Sequence, residues 1–185
     1  MTTLSKTEYQ GREQVRHFVA YVYDRKEKDH GFRARMRRAL SPTQAAQVWG
    51  DLVPFVDISK SGPRMFFTLI GASIALEKGT ESGRDGLGRV LFLCSGSAQK
   101  AGDSDDGPNA SRLRRLVACQ SSESLCRNLK PLLTLIRSRC PGQLDYVRLL
   151  DELLSFEYDD EKIKARWIKE FYAPFDNPKS RILEL

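Results

Sequence analysis

Apolar residues recur at intervals of three and four along most of this chain, the period of helices that each bury one face. Residues 10–28 carry Val15, Phe18, Val19 and Val22 in that phase, and Gly31 marks a break after them. Over 32–40, Phe32, Met36, Ala39 and Leu40 share one face while Arg33, Arg35, Arg37 and Arg38 fan around the others. Ser41-Pro42 ends that helix. A further helical pattern runs over 44–52, and Pro54 and Ser61-Gly62-Pro63 punctuate the connection onward. Residues 64–77 are strongly apolar with Gly71 as the one helix-weakening position, which makes this segment the expected central buried helix. Gly79, Gly83, Gly86 and Gly88 mark 79–88 as a loop.

The run Val90-Leu91-Phe92-Leu93 fits either a buried strand or a helix. No second convincing strand exists to pair with it, so 87–97 is assigned to helix. Residues 99–110 read as an acidic, glycine-containing surface loop, expected to be mobile. The loop divides an N-terminal lobe, 10–98, from a C-terminal lobe, 111–173. In the second lobe Asn109 or Ser111 is the expected cap of a helix with Leu113, Leu116 and Val117 inward, Arg112 and Arg115 opposite, and Arg114 at the flank. Ser122 opens the next helix, whose stripe of Leu125, Leu129, Leu132, Leu133 and Ile136 leaves Arg127, Lys130 and Arg137 on the other side. Pro131 lacks an N–H and is expected to kink that helix or split it at Lys130. Two acidic helices follow over 143–156 and 159–172, the second with Ile163, Trp167 and Phe171 inward, and 174–185 reads as a tail. The expected fold is all-α, a single domain (1–185) forming a compact bundle of about eight to nine helices in two lobes.

A length of 185 residues is ample for one complete core and marginal for two. With 41% hydrophobic and 29% charged residues, the composition excludes disordered, collagenous and disulfide-stapled classes. The longest apolar stretch, 65–76, is shorter than a bilayer span requires, so no membrane partner is expected. The opening Met-Thr-Thr-Leu-Ser-Lys leads into polar sequence without a secretory pattern, and a cytoplasmic location is expected. Cys94, Cys119, Cys126 and Cys140 form no C-x-x-C pair, and only His17 and His30 could complete a site. These are expected to be ordinary reduced cysteines, with no metal bound.

Charge sharpens the picture. Residues 25–38 hold seven basic side chains against Glu27 and Asp29, and 111–140 hold seven against Glu123 alone. The two segments carry +11 together while the whole chain carries +6, so the remainder is acidic. One such cluster is ordinarily a solvated helix face. Two, each opposite an apolar stripe, bring a polyanion-binding surface level with that reading. The candidate binding residues are Arg33, Arg35, Arg37 and Arg38 in the first cluster and Arg112, Arg114, Arg115, Arg127, Lys130 and Arg137 in the second.

Catalytic patterns are missing. No G-x-x-x-x-G-K-[ST] cradles a phosphate, and Gly83, Gly86 and Gly88 stand in the wrong order for a dinucleotide loop. Asp103, Asp105 and Asp106 lack the glycine and distal glutamate placement of a calcium loop. Ser95-Gly96-Ser97 is no nucleophile elbow. The expectation is a protein that is not an enzyme and carries no cofactor.

The order of the motifs is distinctive. Arg37-Arg38-Ala39-Leu40-Ser41-Pro42 is followed by Leu52-Val53-Pro54-Phe55 and by the apolar helix ending Ile74-Ala75-Leu76. Then come Gly86-Leu87-Gly88-Arg89, Arg112-Leu113-Arg114-Arg115-Leu116, Leu144-Asp145-Tyr146-Val147-Arg148-Leu149-Leu150-Asp151 and Lys164-Ala165-Arg166-Trp167. This series resembles the CasB family, the small subunit of the type I-E CRISPR surveillance complex Cascade, over residues 10–173. The departures are the Asp-rich loop before Ser111 and Pro131 within the basic helix. The resemblance implies an all-helical, non-enzymatic subunit, two copies of which pack head to tail between the backbone and large subunits. It also implies contacts with crRNA, its paired target DNA strand and the displaced DNA strand. The family's basic pair falls on Arg37 and Arg38, and further contacts on Arg112, Arg115, Arg127 and Lys130. The competing readings from charge alone are a helical DNA-binding regulator, which needs a base-reading helix, and an adaptor for an acidic protein.

Overall fold

The computed structural model describes residues 6–95 and 107–173, with side chains from residue 11 onward. The described chain is helical: α1 (Lys6–Lys28), α2 (His30–Arg38), a 3-10 turn (Ala45–Val48) leading into the short α3 (Trp49–Leu52), α4 (Ser61–Leu76), α5 (Leu87–Leu93), α6 (Pro108–Val117), α7 (Ser122–Arg139) and α8 (Tyr146–Tyr172). Among the described residues extended pairing is limited to one parallel bridge between Asp85 and Leu144. Val90-Leu91-Phe92-Leu93 is accordingly helical, and α5 ends with that apolar run at Leu93, short of the expected bound at 97.

Helix α4 is the centre, with α1, α2, α7 and α8 packed around it. Its residues from Phe66 to Ala75 are all buried. Gly71 serves this position: a Cβ there would lie 3.1 Å from Phe18 Cζ and 3.3 Å from Met36 Sδ, so the bare backbone lets α1 and α2 close on α4. Phe18 packs at 4.7 Å, ring centre to ring centre, from Phe67 and at 5.3 Å from Phe55. The core continues without a break into Leu87 and Leu91 of α5, Leu113 and Leu116 of α6, the α7 stripe, and Leu149, Leu153, Trp167 and Phe171 of α8.

Several boundaries differ from the sequence expectation, each for a local reason. Gly107 caps α6 and Pro108 opens it, because proline's missing N–H is harmless in a first turn. Residues 108–110, placed in the acidic loop, are therefore helix, and Asn109 is not a cap. The rest of that loop from 99, including the three aspartates, lies outside the described residues, as does the tail 174–185. Helix α7 runs through Pro131 without splitting, starting from a reciprocal cap in which Ser121 Oγ accepts the Ser124 N–H and Ser124 Oγ accepts the Ser121 N–H. The two expected acidic helices are both present within α8 and meet at a kink with non-helical backbone at Asp159, where the break was placed; the first begins at Tyr146, after the expected 143.

Buried Glu152 joins the two halves of α8 across that kink. It accepts hydrogen bonds from Trp167 Nε1 (2.7 Å), Arg166 Nη1 (3.0 Å) and Arg148 Nε (3.1 Å). Lys26, wholly buried, donates to the carbonyls of Ile74 (3.2 Å), Glu77 (3.0 Å) and Gly79 (2.6 Å). All three ammonium protons are used to close the C-terminus of α4. Glu77 is held in turn by the Tyr146 hydroxyl at 2.8 Å, and the buried Tyr146 phenol is pushed well above its usual pKa, first by burial and then by that carboxylate.

Candidate nucleic-acid interface

The sequence leaves two separate basic clusters, and packing redistributes both. Asp29 caps α2 by accepting the Phe32 N–H at 2.8 Å, and this bond, with Arg25 beside it, holds the Asp29 carboxyl below the usual range. Arg25 and Arg35 both turn to Asp51, at 3.6 and 3.5 Å. Arg33 Nε donates to the Ala75 carbonyl at 3.3 Å, beside the α4 terminus that Lys26 closes. Lys26 and Arg33 are thus engaged in holding α1 and α2 to α4, and Arg35 in holding α2 to α3. Arg37 and Arg38 remain exposed on the last turn of α2, with Arg38 Nε donating to the Ala34 carbonyl of its own helix (3.2 Å).

In the second cluster, Arg112 Nη1 donates to Asn109 Oδ1 at 2.7 Å, while Asn109 Nδ2 donates to the Leu91 carbonyl and Ser95 Oγ at 3.2 and 3.1 Å. Half-buried Arg112 therefore helps dock α6 on α5, a role its position opposite the apolar stripe did not suggest. Arg114 and Arg115 are exposed on α6. Arg127, Lys130 and Arg137 share a face of α7, where Arg127 meets Glu123 at 2.7 Å and Arg137 Nη2 donates to Thr134 Oγ1 at 3.3 Å.

One contact brings the clusters together. Lys130 Nζ donates to the carbonyl of Leu40 at 2.8 Å, just beyond the last turn of α2. It seats the Arg37–Arg38 end of one cluster beside the Arg127–Lys130–Arg137 face of the other, from positions 90 residues apart in sequence. The result is a strip of five cations whose Arg37, Arg38, Arg127 and Lys130 are exposed. A second arginine-rich locus was not anticipated: Arg12, Arg16, Arg148 and Arg166 line a cavity of about 290 Å³ between α1 and α8 with Asp145, Asp151 and Glu152. Its charges are largely matched internally, Arg12 to Asp151 at 3.2 Å and Arg148 and Arg166 to Glu152, so it fastens α1 to α8. Among the described residues no three His, Cys, Asp or Glu side chains gather as metal ligands. Nor is any described helix long and apolar enough to cross a membrane.

With the fold and the strip in view, the comparisons with known proteins are decisive at the family level. The family model described as CRISPR-associated protein Cse2 matches residues 32–172. The chain belongs to the Cse2 family. Its all-helical fold is similar to that of a crystal structure of a CRISPR-associated, Cse2-family protein from Thermus thermophilus. The TM-score is 0.66 at 23% identity, covering 86% of this chain and 97% of that one. It is also similar to the crystal structure of CasB from Thermus thermophilus, with a TM-score of 0.59 at 21% identity, covering 83% of this chain and 96% of that one. No curated protein sequence matches this Cse2-family chain.

The match begins at Phe32, so it takes in most of α2 and, with α7, both helices of the strip. The buried role of Lys26 had a signal in the sequence, since it continues the Val15, Val19, Val22 phase of α1. The Lys130–Leu40 contact had none.

Proposed function

We propose that this Cse2-family chain is a non-catalytic, nucleic-acid-binding small subunit of the type I-E CRISPR complex Cascade, working in the cytoplasm in antiviral defence. In this reading the strip of Arg37, Arg38, Arg127, Lys130 and Arg137 holds phosphates of the crRNA–target hybrid and of the displaced DNA strand. Arg114 and Arg115, exposed on α6, extend the same role, while Arg33, Arg35 and Arg112 support it from within the fold. The partners are the backbone and large subunits and a second copy of the chain.

The observation that carries the reading is the Lys130–Leu40 contact, because it sets the exposed Arg37–Arg38 end of α2 against the basic face of α7. A row of cations without a base-reading element suits phosphate contact, and base pairing to the guide supplies sequence. Strand exchange against a guide is nearly balanced, so a few such contacts decide whether the open state persists.

The test is binding of random-sequence single- and double-stranded oligonucleotides as a function of salt. Each duplex phosphate neutralised should contribute a slope of about −0.9 in log affinity against log salt. The variant with Arg37→Ala, Arg38→Ala and Arg127→Ala should bind more weakly with a shallower slope and an unchanged melting temperature, and the R-loop on the reconstituted complex should be shorter-lived. Salt-independent binding, or no binding at low salt, overturns the reading in favour of an adaptor for an acidic protein. Strong preference for one selected duplex overturns it in favour of a DNA-binding regulator.

A further inference from the structure

Two helix ends converge on a pair of thiols. Cys94 is the C-cap residue of α5 and Cys140 that of α7, and the Cys94 thiol donates to Cys140 Sγ at 2.9 Å. Both are free cysteines. A disulfide holds its sulfurs about 2.05 Å apart, so less than about 1 Å of travel separates this pair from a bond. The approach is fixed by the backbone and its neighbours. Arg139 Nη1 donates to the Cys94 carbonyl at 3.2 Å, fastening the last turn of α7 to the end of α5. The Cys119 thiol is arranged differently: its Sγ donates to the Arg115 carbonyl and accepts from Asn128 Nδ2, at 3.3 and 3.4 Å.

The pair is asymmetric. Cys94 is buried, and that burial together with the neighbouring Cys140 pushes its thiol up to about 12. Cys140, the C-cap of α7, is only half-buried. A half-buried cysteine in contact with a buried one suits the roles of attacking and resolving cysteine.

We propose that Cys94 and Cys140 form a redox site that closes to an intramolecular disulfide when the protein meets a hydroperoxide. The Cys140 thiolate attacks one peroxide oxygen, the O–O bond breaks, and the other oxygen leaves as water or an alcohol after taking up a proton. Cys140 is then a sulfenic acid. The Cys94 sulfur attacks it, the S–S bond forms, and the hydroxyl departs with the Cys94 proton as water. Two electrons pass from the two sulfurs to the peroxide, and a dithiol reductant reverses the change by exchange. The bond joins positions 46 residues apart and pins the end of α7, the helix that carries Arg127, Lys130 and Arg137, to α5.

The experiment exposes the folded full-length chain to hydrogen peroxide and follows thiol count, intact mass, peptide linkage and melting temperature. The expected result is a fall from four thiols to about half that number, a mass lower by two hydrogens and a peptide joining Cys94 to Cys140 in monomeric protein. The melting temperature should rise by about 5–10 °C and return on adding dithiothreitol. Cys94→Ser and Cys140→Ser should each abolish the linkage, and Cys119→Ser should leave it intact. Persistence of all thiols overturns the proposal. So do sulfinic acid at Cys140 without a cross-link and a linkage through other cysteines or between chains. If Cys94→Ser fails to fold, the thiol count and linked peptide of the unsubstituted protein decide alone.

Discussion

A buried cation shows how far residue type and residue role can part. Lys26 lies in the densest basic segment, yet its ammonium is shielded from solvent and meets three carbonyls at the end of α4. Its burial is tolerable because every proton has an acceptor and because a positive charge at a helix C-terminus is favoured by the helix dipole. Burial lowers the Lys26 pKa, since water no longer solvates the charged form. Lys26→Met keeps much of the stem's packing but takes the donor from those carbonyls, leaving the buried Glu77 carbonyl unpaired while that of Ile74 keeps the Glu77 N–H. We expect it to destabilise the fold by about 2–4 kcal/mol, read as a lower urea midpoint. Lys28→Met, at an exposed position two residues on, should change the midpoint little. A midpoint equally unmoved in both variants would mean that the α4 end is closed by other groups.

At the scale of elements, the loop between α4 and α5 is governed by the backbone of α8 and of the turn before it. A Cβ on Gly88 would lie 2.1 Å from the Trp167 carbonyl oxygen, and one on Gly83 would lie 2.1 Å from the carbonyl oxygen of Gln143. Neither obstacle is a side chain that can swing away. Gly88→Ala should therefore push α5 off α8 and destabilise the protein by about 1–3 kcal/mol. Gly11→Ala, where nothing lies within 4 Å, should instead stabilise α1 by about 0.5–1 kcal/mol. Equal melting temperatures for the two variants would contradict this account. Gly79, Gly83 and Gly86 were legible as a loop, whereas Gly88, read with them, lies in the first turn of α5; the purpose of Gly83 and Gly88 was not legible, because the backbone they admit comes much later in the chain. Helix phases such as Leu125, Leu129, Leu132 and Ile136 were legible because each reports a local period. Pro131 does not split α7, since its exposed place lets the neighbouring turns continue the helix around one missing N–H.

For the molecule as a whole, family and helical class were readable from the order of local motifs, whereas the strip was only half readable. Arg37 and Arg38 could be picked out as free of the apolar face. That Arg33 would turn to Ala75, Arg112 to Asn109 and Lys130 to Leu40 depends on partners that no local pattern reports. The continuous core from α1 to α8 leads to a further expectation about the two lobes. Unfolding followed by the fluorescence of buried Trp167 in a Trp49→Phe variant should coincide with loss of helical circular dichroism, in one transition. Two separated midpoints would show that the lobes unfold independently. The seating of α5 on α8 also bears on the order in which the chain is made. Everything that closes the end of α4 from the side of α1 lies within the first eighty residues, so that corner can assemble while synthesis continues. Leu87, Val90 and Leu91 have no such early shelter. Their cover arrives with α8, after α6 and α7 have emerged. A ribosome adding about 5–20 residues per second leaves this apolar turn uncovered for several seconds, the interval in which a nascent chain is most exposed to misassociation and most in need of a chaperone.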